Sequence, residues 1–186
     1  KKKKKVCRYN QYFGIKRTQQ RLTNLRAELH NPNREPDKPL GGILWHTQGS
    51  GKTLTMVWLA KWILTHWAEL NARVLIVTDR DELDEQIEKT FTGVDENIAR
   101  TKSGKDLLNR LNVYDDSLIC SLVHKFGRRG GEATENDYDK YIEELKASLP
   151  ANFETKGNLV VFVDECHRTQ SGKLHTAMKT IMPNAV

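Results

Sequence analysis

Cysteine is scarce in this chain of 186 residues. Its three cysteines, Cys7, Cys120 and Cys166, are far apart and odd in number, with neither a Cys-x-x-Cys pair nor a zinc-ligand spacing. This pattern excludes a disulfide framework and the common zinc sites. We therefore expect reduced thiols and a cytoplasmic protein.

Long apolar runs are also missing, because no stretch approaches the roughly 20 residues that a helix needs to cross a bilayer. We therefore expect no membrane partner. Hydrophobic residues make up 38% of the sequence and charged residues 29%, which is typical of a globular protein rather than a disordered one. The net charge of +6 is largely local, since Lys1 to Lys5 supply five positive charges. The overall charge alone therefore does not predict nucleic-acid binding.

The segment from Gly41 to Thr55 is the most informative part of the chain. It is typical of a short strand at residues 42–45, a glycine-rich loop that ends in Gly-Lys-Thr, and an apolar helix. Such a loop turns its backbone N–H groups toward a phosphate, and the helix adds its positive N-terminal end. In this pattern Lys52 reaches the β- and γ-phosphates and the Thr53 hydroxyl holds Mg²⁺. The predicted nucleotide contacts are Thr47, Gln48, Gly49, Ser50, Gly51, Lys52, Thr53 and Leu54.

His46 departs from the strict pattern G-x-x-x-x-G-K-[ST], which has glycine at this position. The segment alone therefore also fits a plain Gly/Ser turn before a helix. A second segment favours the nucleotide site. The apolar run Asn158–Val163 is typical of a strand buried on both faces, and Asp164 and Glu165 follow it directly. Open α/β sheets place ligand chemistry at such strand ends.

Asp164 and Glu165 are assigned different roles. In P-loop NTPases an acid at this strand end holds Mg²⁺, and a neighbouring carboxylate can position the attacking water. We assign the metal to Asp164 and the water to Glu165, which makes Lys52, Asp164 and Glu165 the predicted catalytic residues. The alternative, a solvated strand end, does not account for the glycine-rich loop upstream.

The remaining pattern alternates between strands and helices, which predicts an α/β fold with a mostly parallel, doubly wound sheet. Ser103 is a predicted N-cap. Three of the five prolines lie in residues 31–39, so we expect an irregular linker there. The predicted helices cover residues 9–29, 52–70, 138–149 and 172–182, with others near residues 83–91 and 104–111, and the predicted strands cover residues 42–45, 74–78, 117–120 and 158–163.

With both motifs in hand, the chain resembles the superfamily 2 helicases and translocases. It is most similar to the motor of the R (restriction) subunit of type I restriction–modification enzymes. The segments that carry this likeness are Arg8 to Phe13, Gly41 to Thr55, Asp79 to Asp84 and Asp164 to Gly172.

The resemblance implies a RecA-like P-loop NTPase domain at residues 41–186, after a lead-in helix and linker at residues 1–40. It implies ATP and Mg²⁺ as cofactors, and it implies double-stranded DNA and the methyltransferase and specificity subunits as partners. Gln11 is then a candidate base contact, and His167 and Gln170 couple the nucleotide site to DNA or to a second lobe. The implied DNA contacts are Arg80, Ser121 and Lys125.

Motors of this kind hydrolyse ATP at a cleft between two lobes, the second of which supplies an arginine finger. The resemblance therefore implies that the chain is a fragment, and that on its own it hydrolyses ATP about 10³- to 10⁵-fold more slowly. Three alternatives remain open. They are another superfamily 2 motor, a small-molecule kinase, and a nucleotide-gated binding module that does not hydrolyse.

Overall fold

The computed structural model describes residues 6–29, 40–47, 49–78, 87, 89–93, 97–122, 135–164 and 178–186. Two compact units are present, residues 1–59 and residues 60–186. The predicted domain boundary at residue 40 stays a prediction. Within the described ranges, no helix combines the length and the apolar character that a bilayer crossing requires.

The first unit contains helix α1, Tyr9–Leu29, which confirms the predicted opening helix. Leu22 and Leu25 of α1 are buried, as their helical spacing predicts. Helix α2, Lys52–His66, begins in this unit and continues into the second one. It ends four residues earlier than predicted, and the 3₁₀ turn Ala68–Leu70 follows it.

The prediction of a strand at residues 42–45 is wrong. Residues 40–47 contain no strand, and Ile43 and Trp45 are 81% and 83% exposed. An extended apolar run becomes a strand only when a neighbouring strand bonds its N–H and C=O groups. Among the described residues of this unit the regular elements are helices, and none of these residues offers a strand partner.

The second unit is built on a four-stranded, all-parallel sheet in the order β2-β3-β1-β4. The strands are β1 Ala72–Thr78, β2 Ala99–Arg100, β3 Leu118–Leu122 and β4 Asn158–Val163. β1 and β3 are buried along their whole length, as their β-branched and apolar residues predict. The predicted strands β1, β3 and β4 are confirmed, and β2 was not predicted.

Helix α3, Gly104–Leu111, begins where its cap predicts, because the Ser103 hydroxyl accepts a bond from the Asp106 N–H at 3.1 Å. Helix α4 covers Glu135–Ala147, whereas the prediction was residues 138–149. It therefore begins three residues earlier than predicted and ends two residues earlier. Residues 89–92 and 178–181 are also helical. The core of this unit joins residues of the sheet, α3, α4 and the last helical residues, among them Leu75, Leu108, Ile119, Tyr141, Leu159 and Met178. Parallel strands with intervening helices confirm the predicted α/β class.

Arg73 heads the large, fully buried side chains among the residues that the structure describes, although it carries a charge. Its guanidinium donates four hydrogen bonds, of 2.7 to 3.1 Å, to backbone carbonyls at the N-terminal end of the sheet and at the end of α3. The acceptors are the carbonyl oxygens of Arg110, Leu111, Asp116 and Lys156. Burial lowers the pKa of Arg73, and the negative charge of Asp116 opposes this shift. Arg73 therefore connects β1 to the end of α3 and to the segments just before β3 and β4 through hydrogen bonds.

Gly157 lies against this arginine with a φ of +82°. A Cβ atom there would lie 2.6 Å from the Asn71 carbonyl oxygen and 3.0 Å from the Arg73 Cδ. Both the backbone conformation and the space therefore require glycine.

Candidate functional site

The loop before α2 is shaped by two glycines and a serine. Gly49 and Gly51 have φ angles of +73° and +87°, which residues other than glycine rarely adopt. Between them, the Ser50 N–H and hydroxyl both donate to the Thr47 carbonyl, at 3.2 and 2.7 Å. The result is a tight turn that leads directly into the helix.

α2 then presents its N-terminal turn, with Lys52 and Thr53 as the first two helical residues. Both are partly exposed, and the first helical hydrogen bond near the loop joins the Thr55 N–H to the Gly51 carbonyl at 3.2 Å. The N–H groups of a first turn have no acceptor within their helix, and the helix dipole adds positive charge there. A loop of this shape followed by a long helix can hold an anion such as a phosphate.

Gln11 packs its carboxamide into the same loop. Its Nε2 donates to the carbonyls of Ser50 and Gly51 at 3.1 and 3.2 Å, and its Oε1 accepts from the Arg8 N–H at 2.8 Å. The side chain is buried. The residue that the resemblance assigns to the base therefore contacts the backbone of the phosphate loop. This long-range contact was not predicted, because sequence spacing carries no signal for it.

His46 adds a second link within the loop. Its Nδ1 lies 3.1 Å from the Ser50 hydroxyl oxygen. Burial lowers the pKa of His46, and the nearby Lys52 lowers it further. The neutral ring is therefore the form favoured near pH 7. The only sequence signal for this contact was the departure from the glycine of the strict pattern.

In the second unit, the carboxyl ends of β1 and β4 lie side by side. β2 and β3, which follow β1 in sequence, lie on one side of this pair. Val186, which follows β4 in sequence, lies on the other side, hydrogen-bonded to Leu159 and Val161 at 3.0 and 2.7 Å. Open α/β sheets bind ligands at such a point, where strand connections diverge. Asp164 lies at this point. It is buried, with 7% of its surface exposed, and its N–H donates to the Val77 carbonyl.

The predicted residues have different outcomes. Thr47, Gly49, Ser50, Gly51, Lys52, Thr53 and Leu54 form the loop and first turn described above. Gln48, Arg80, Lys125, Glu165, His167 and Gln170 lie outside the described residues.

Ser121, a predicted DNA contact, is 1% exposed, and its hydroxyl lies 2.9 Å from the buried Tyr141 hydroxyl. Its role in DNA binding stays a prediction.

Gly49 and Gly51 provide a matched pair for testing the loop. An alanine at either position adopts an unfavourable φ, at a cost of about 1–2 kcal/mol. A Cβ at Gly51 would also lie 2.1 Å from the Gln11 Nε2, whereas the space around Gly49 is open. We expect Gly51→Ala to weaken nucleotide binding by about 2- to 10-fold more than Gly49→Ala, the range of one net hydrogen bond, because the added Cβ displaces the flexible Gln11 carboxamide from its bonds to the loop. Titration of both variants with a fluorescent ATP analogue measures this, and equal losses would contradict the contact with Gln11.

Known proteins match almost the whole chain. The family model described as SWI2/SNF2 ATPase matches residues 10–186. A Methanocaldococcus jannaschii protein named as a type I restriction enzyme endonuclease subunit is 30% identical over 99% of the chain and 16% of its own length. The HindI type I restriction enzyme endonuclease subunit of Haemophilus influenzae is 29% identical over 98% of the chain and 17% of its own length.

A Staphylococcus aureus relative, the SauCOLORF180P endonuclease subunit, is 32% identical over 77% of the chain. The chain thus spans about a sixth of the length of the relatives first described. These similarities confirm the resemblance to type I restriction enzymes that the motifs predict. With its phosphate loop, its parallel sheet and a family match from residue 10 to residue 186, the chain belongs to the SWI2/SNF2 ATPase family.

Proposed function

We propose that this chain is an ATP-driven motor on double-stranded DNA that acts within a type I restriction endonuclease. The observation that carries this proposal is the loop described at residues 46, 47 and 49–51, with its two positive-φ glycines leading into the first turn of α2. The names of the relatives support a role in a restriction enzyme with several subunits. The proposed partners there are the methyltransferase and specificity subunits. In that complex, ATP hydrolysis drives DNA translocation that leads to distant cleavage.

The roles of the nucleotide-binding side chains follow from their chemistry. Lys52 binds the β- and γ-phosphates, and the loop N–H groups surround them. Thr53 and Asp164 supply the oxygen ligands that Mg²⁺ prefers. Mg²⁺ keeps several waters and takes only one or two protein ligands beside the phosphates. The lack of a His, Cys, Asp and Glu cluster among the described residues is therefore compatible with such a site.

Glu165 positions the attacking water, and Gln11 contacts the base. His167 and Gln170 pass the state of the nucleotide on to DNA or to a second lobe, and Arg80 and Lys125 contact the DNA backbone.

Translocation is tested with a linear duplex that carries a short third strand bound at a distance from the loading site. The complete natural protein, with its partner subunits, should displace the third strand only when ATP is present. The time before displacement should increase in proportion to the distance, because a motor covers the intervening DNA step by step. A nucleotide-gated binding module would instead bind DNA in an ATP-dependent way without displacing the strand, and that result would contradict the proposal.

A further inference from the structure

We propose that His46 is a positioning residue that joins the beginning of the phosphate loop to its tip through Ser50. The inference deepens the proposed function, because it requires that this loop binds a triphosphate. It concerns the one loop position at which the chain departs from the strict glycine pattern. A glycine at this position would be conformationally free. The histidine instead restricts the loop through its side-chain hydrogen bond to Ser50.

The hydrogen bonds of the loop define the direction of this link. A serine hydroxyl has one proton, and the Ser50 hydroxyl donates it to the Thr47 carbonyl at 2.7 Å. The same oxygen lies 3.1 Å from the His46 Nδ1, so it must accept from an N–H at that nitrogen. The network therefore assigns the Nδ1–H tautomer to His46 and leaves the lone pair on Nε2.

The surroundings of the ring favour this neutral tautomer. On the α1 side, the ring faces Gly14, where an added Cβ atom would lie 3.5 Å from the His46 Nε2. On the loop side, the charged neighbour is Lys52, which together with burial lowers the pKa of the ring. Neutral histidine thus keeps a single donor aimed at Ser50 and adds no second positive charge beside Lys52.

A link of this kind adds to the bonds that Ser50 and Gln11 make in a loop that contains two glycines. Gly49 and Gly51 lack side chains, and Thr47 and Gly49 are exposed. Glycine is the residue that loses the most conformational freedom on ordering. A bond across four residues orders the loop before the ligand arrives, which lowers the cost of binding. Restoring the glycine of the strict pattern should therefore weaken the site.

The test measures the affinity of a fluorescent ATP analogue for variants of the complete natural protein. His46→Gly should weaken binding by about 2- to 10-fold, the range of one net hydrogen bond. His46→Asn should restore most of the affinity, because the asparagine Nδ2 can occupy the place of the histidine Nδ1. The double variant His46→Gly with Ser50→Ala should bind no worse than the weaker of its single variants, because both changes remove the same bond.

His66→Asn is the matched control. Its Nδ1 also lies against an oxygen, that of the Trp62 carbonyl at 2.9 Å, but it is exposed and outside the loop. Its substitution should leave the affinity unchanged. Circular dichroism of each variant checks that the fold is retained.

The outcomes separate this inference from the proposed function. If Lys52→Ala abolishes binding while His46→Gly binds as tightly as the unchanged protein, the loop binds nucleotide and the role of His46 is refuted. Additive losses in the double variant would refute the link to Ser50. If Lys52→Ala binds the analogue normally, the proposed function itself is wrong.

Discussion

Replacing Glu165 with glutamine in the complete natural protein should lower ATP turnover by about 10²- to 10⁴-fold, the usual contribution of a residue that activates water. Nucleotide affinity should change less than about twofold, because the glutamine retains the shape of the side chain while losing its basicity. DNA-stimulated phosphate release measures turnover, and titration with a non-hydrolysable ATP analogue measures affinity. Substituting Glu165 thus separates hydrolysis from binding.

Two other variants serve as comparisons for the Glu165→Gln measurement. Lys52→Ala should weaken binding as well as turnover, since it removes the cation assigned to the phosphates. Glu154→Gln should change neither quantity. Glu154 is an exposed acid of the same unit that pairs with Lys156, and no role in the site is assigned to it. If Glu165→Gln retained full turnover, the assignment of the water to this residue would be wrong.

Replacing Arg73 with methionine should lower the free energy of unfolding by about 3–5 kcal/mol, because several buried carbonyl oxygens lose the donor that bonds them. Methionine fills much of the space, but it cannot donate to the four carbonyls that Arg73 now bonds. The Leu111 carbonyl keeps its bond from the Lys156 N–H, and each acceptor left without a donor costs about 1–3 kcal/mol. Hydrogen exchange of the β1 amides under native conditions measures the change as a faster opening of the sheet.

Arg110→Met provides the control for this prediction. Arg110 also carries a guanidinium, but its side chain is 30% exposed and pairs with Asp106 and Asp116 at the surface. Its loss should cost only about 0–1 kcal/mol. Arg73→Lys should fall between the two, because one ammonium cannot reproduce the planar fork that reaches four acceptors. Equal costs for Arg73→Met and Arg110→Met would contradict the role of Arg73.

Sequence patterns predicted those elements that local features define. The bounds of α1 and β4 match the prediction, because a helical apolar period and a β-branched run between polar residues identify them. The Ser103 cap belongs to the same group, since its hydroxyl bonds a group three residues away. Such features depend on neighbours along the chain.

The errors and omissions concern contacts between distant parts of the chain. The apolar segment at residues 42–45 has the composition of a strand, but whether it pairs depends on another strand. β2 has only two residues, too few for any period to be visible. The bond from Gln11 to the phosphate loop spans about forty residues, and the burial of Ser121 depends on Tyr141 of α4. None of these contacts has a signature in local spacing.

Gly157 has a consequence for how this protein can change over generations. Its codon belongs to the GGN set, so a substitution at either of the first two bases introduces a side chain or a stop. Every side chain would meet the Asn71 carbonyl oxygen at 2.6 Å, which is backbone and cannot rotate away. Gly41 and Gly42 have open space around them instead. Among natural variants, position 157 should therefore be nearly invariant, while positions 41 and 42 accumulate neutral replacements unless a ligand or partner occupies that space.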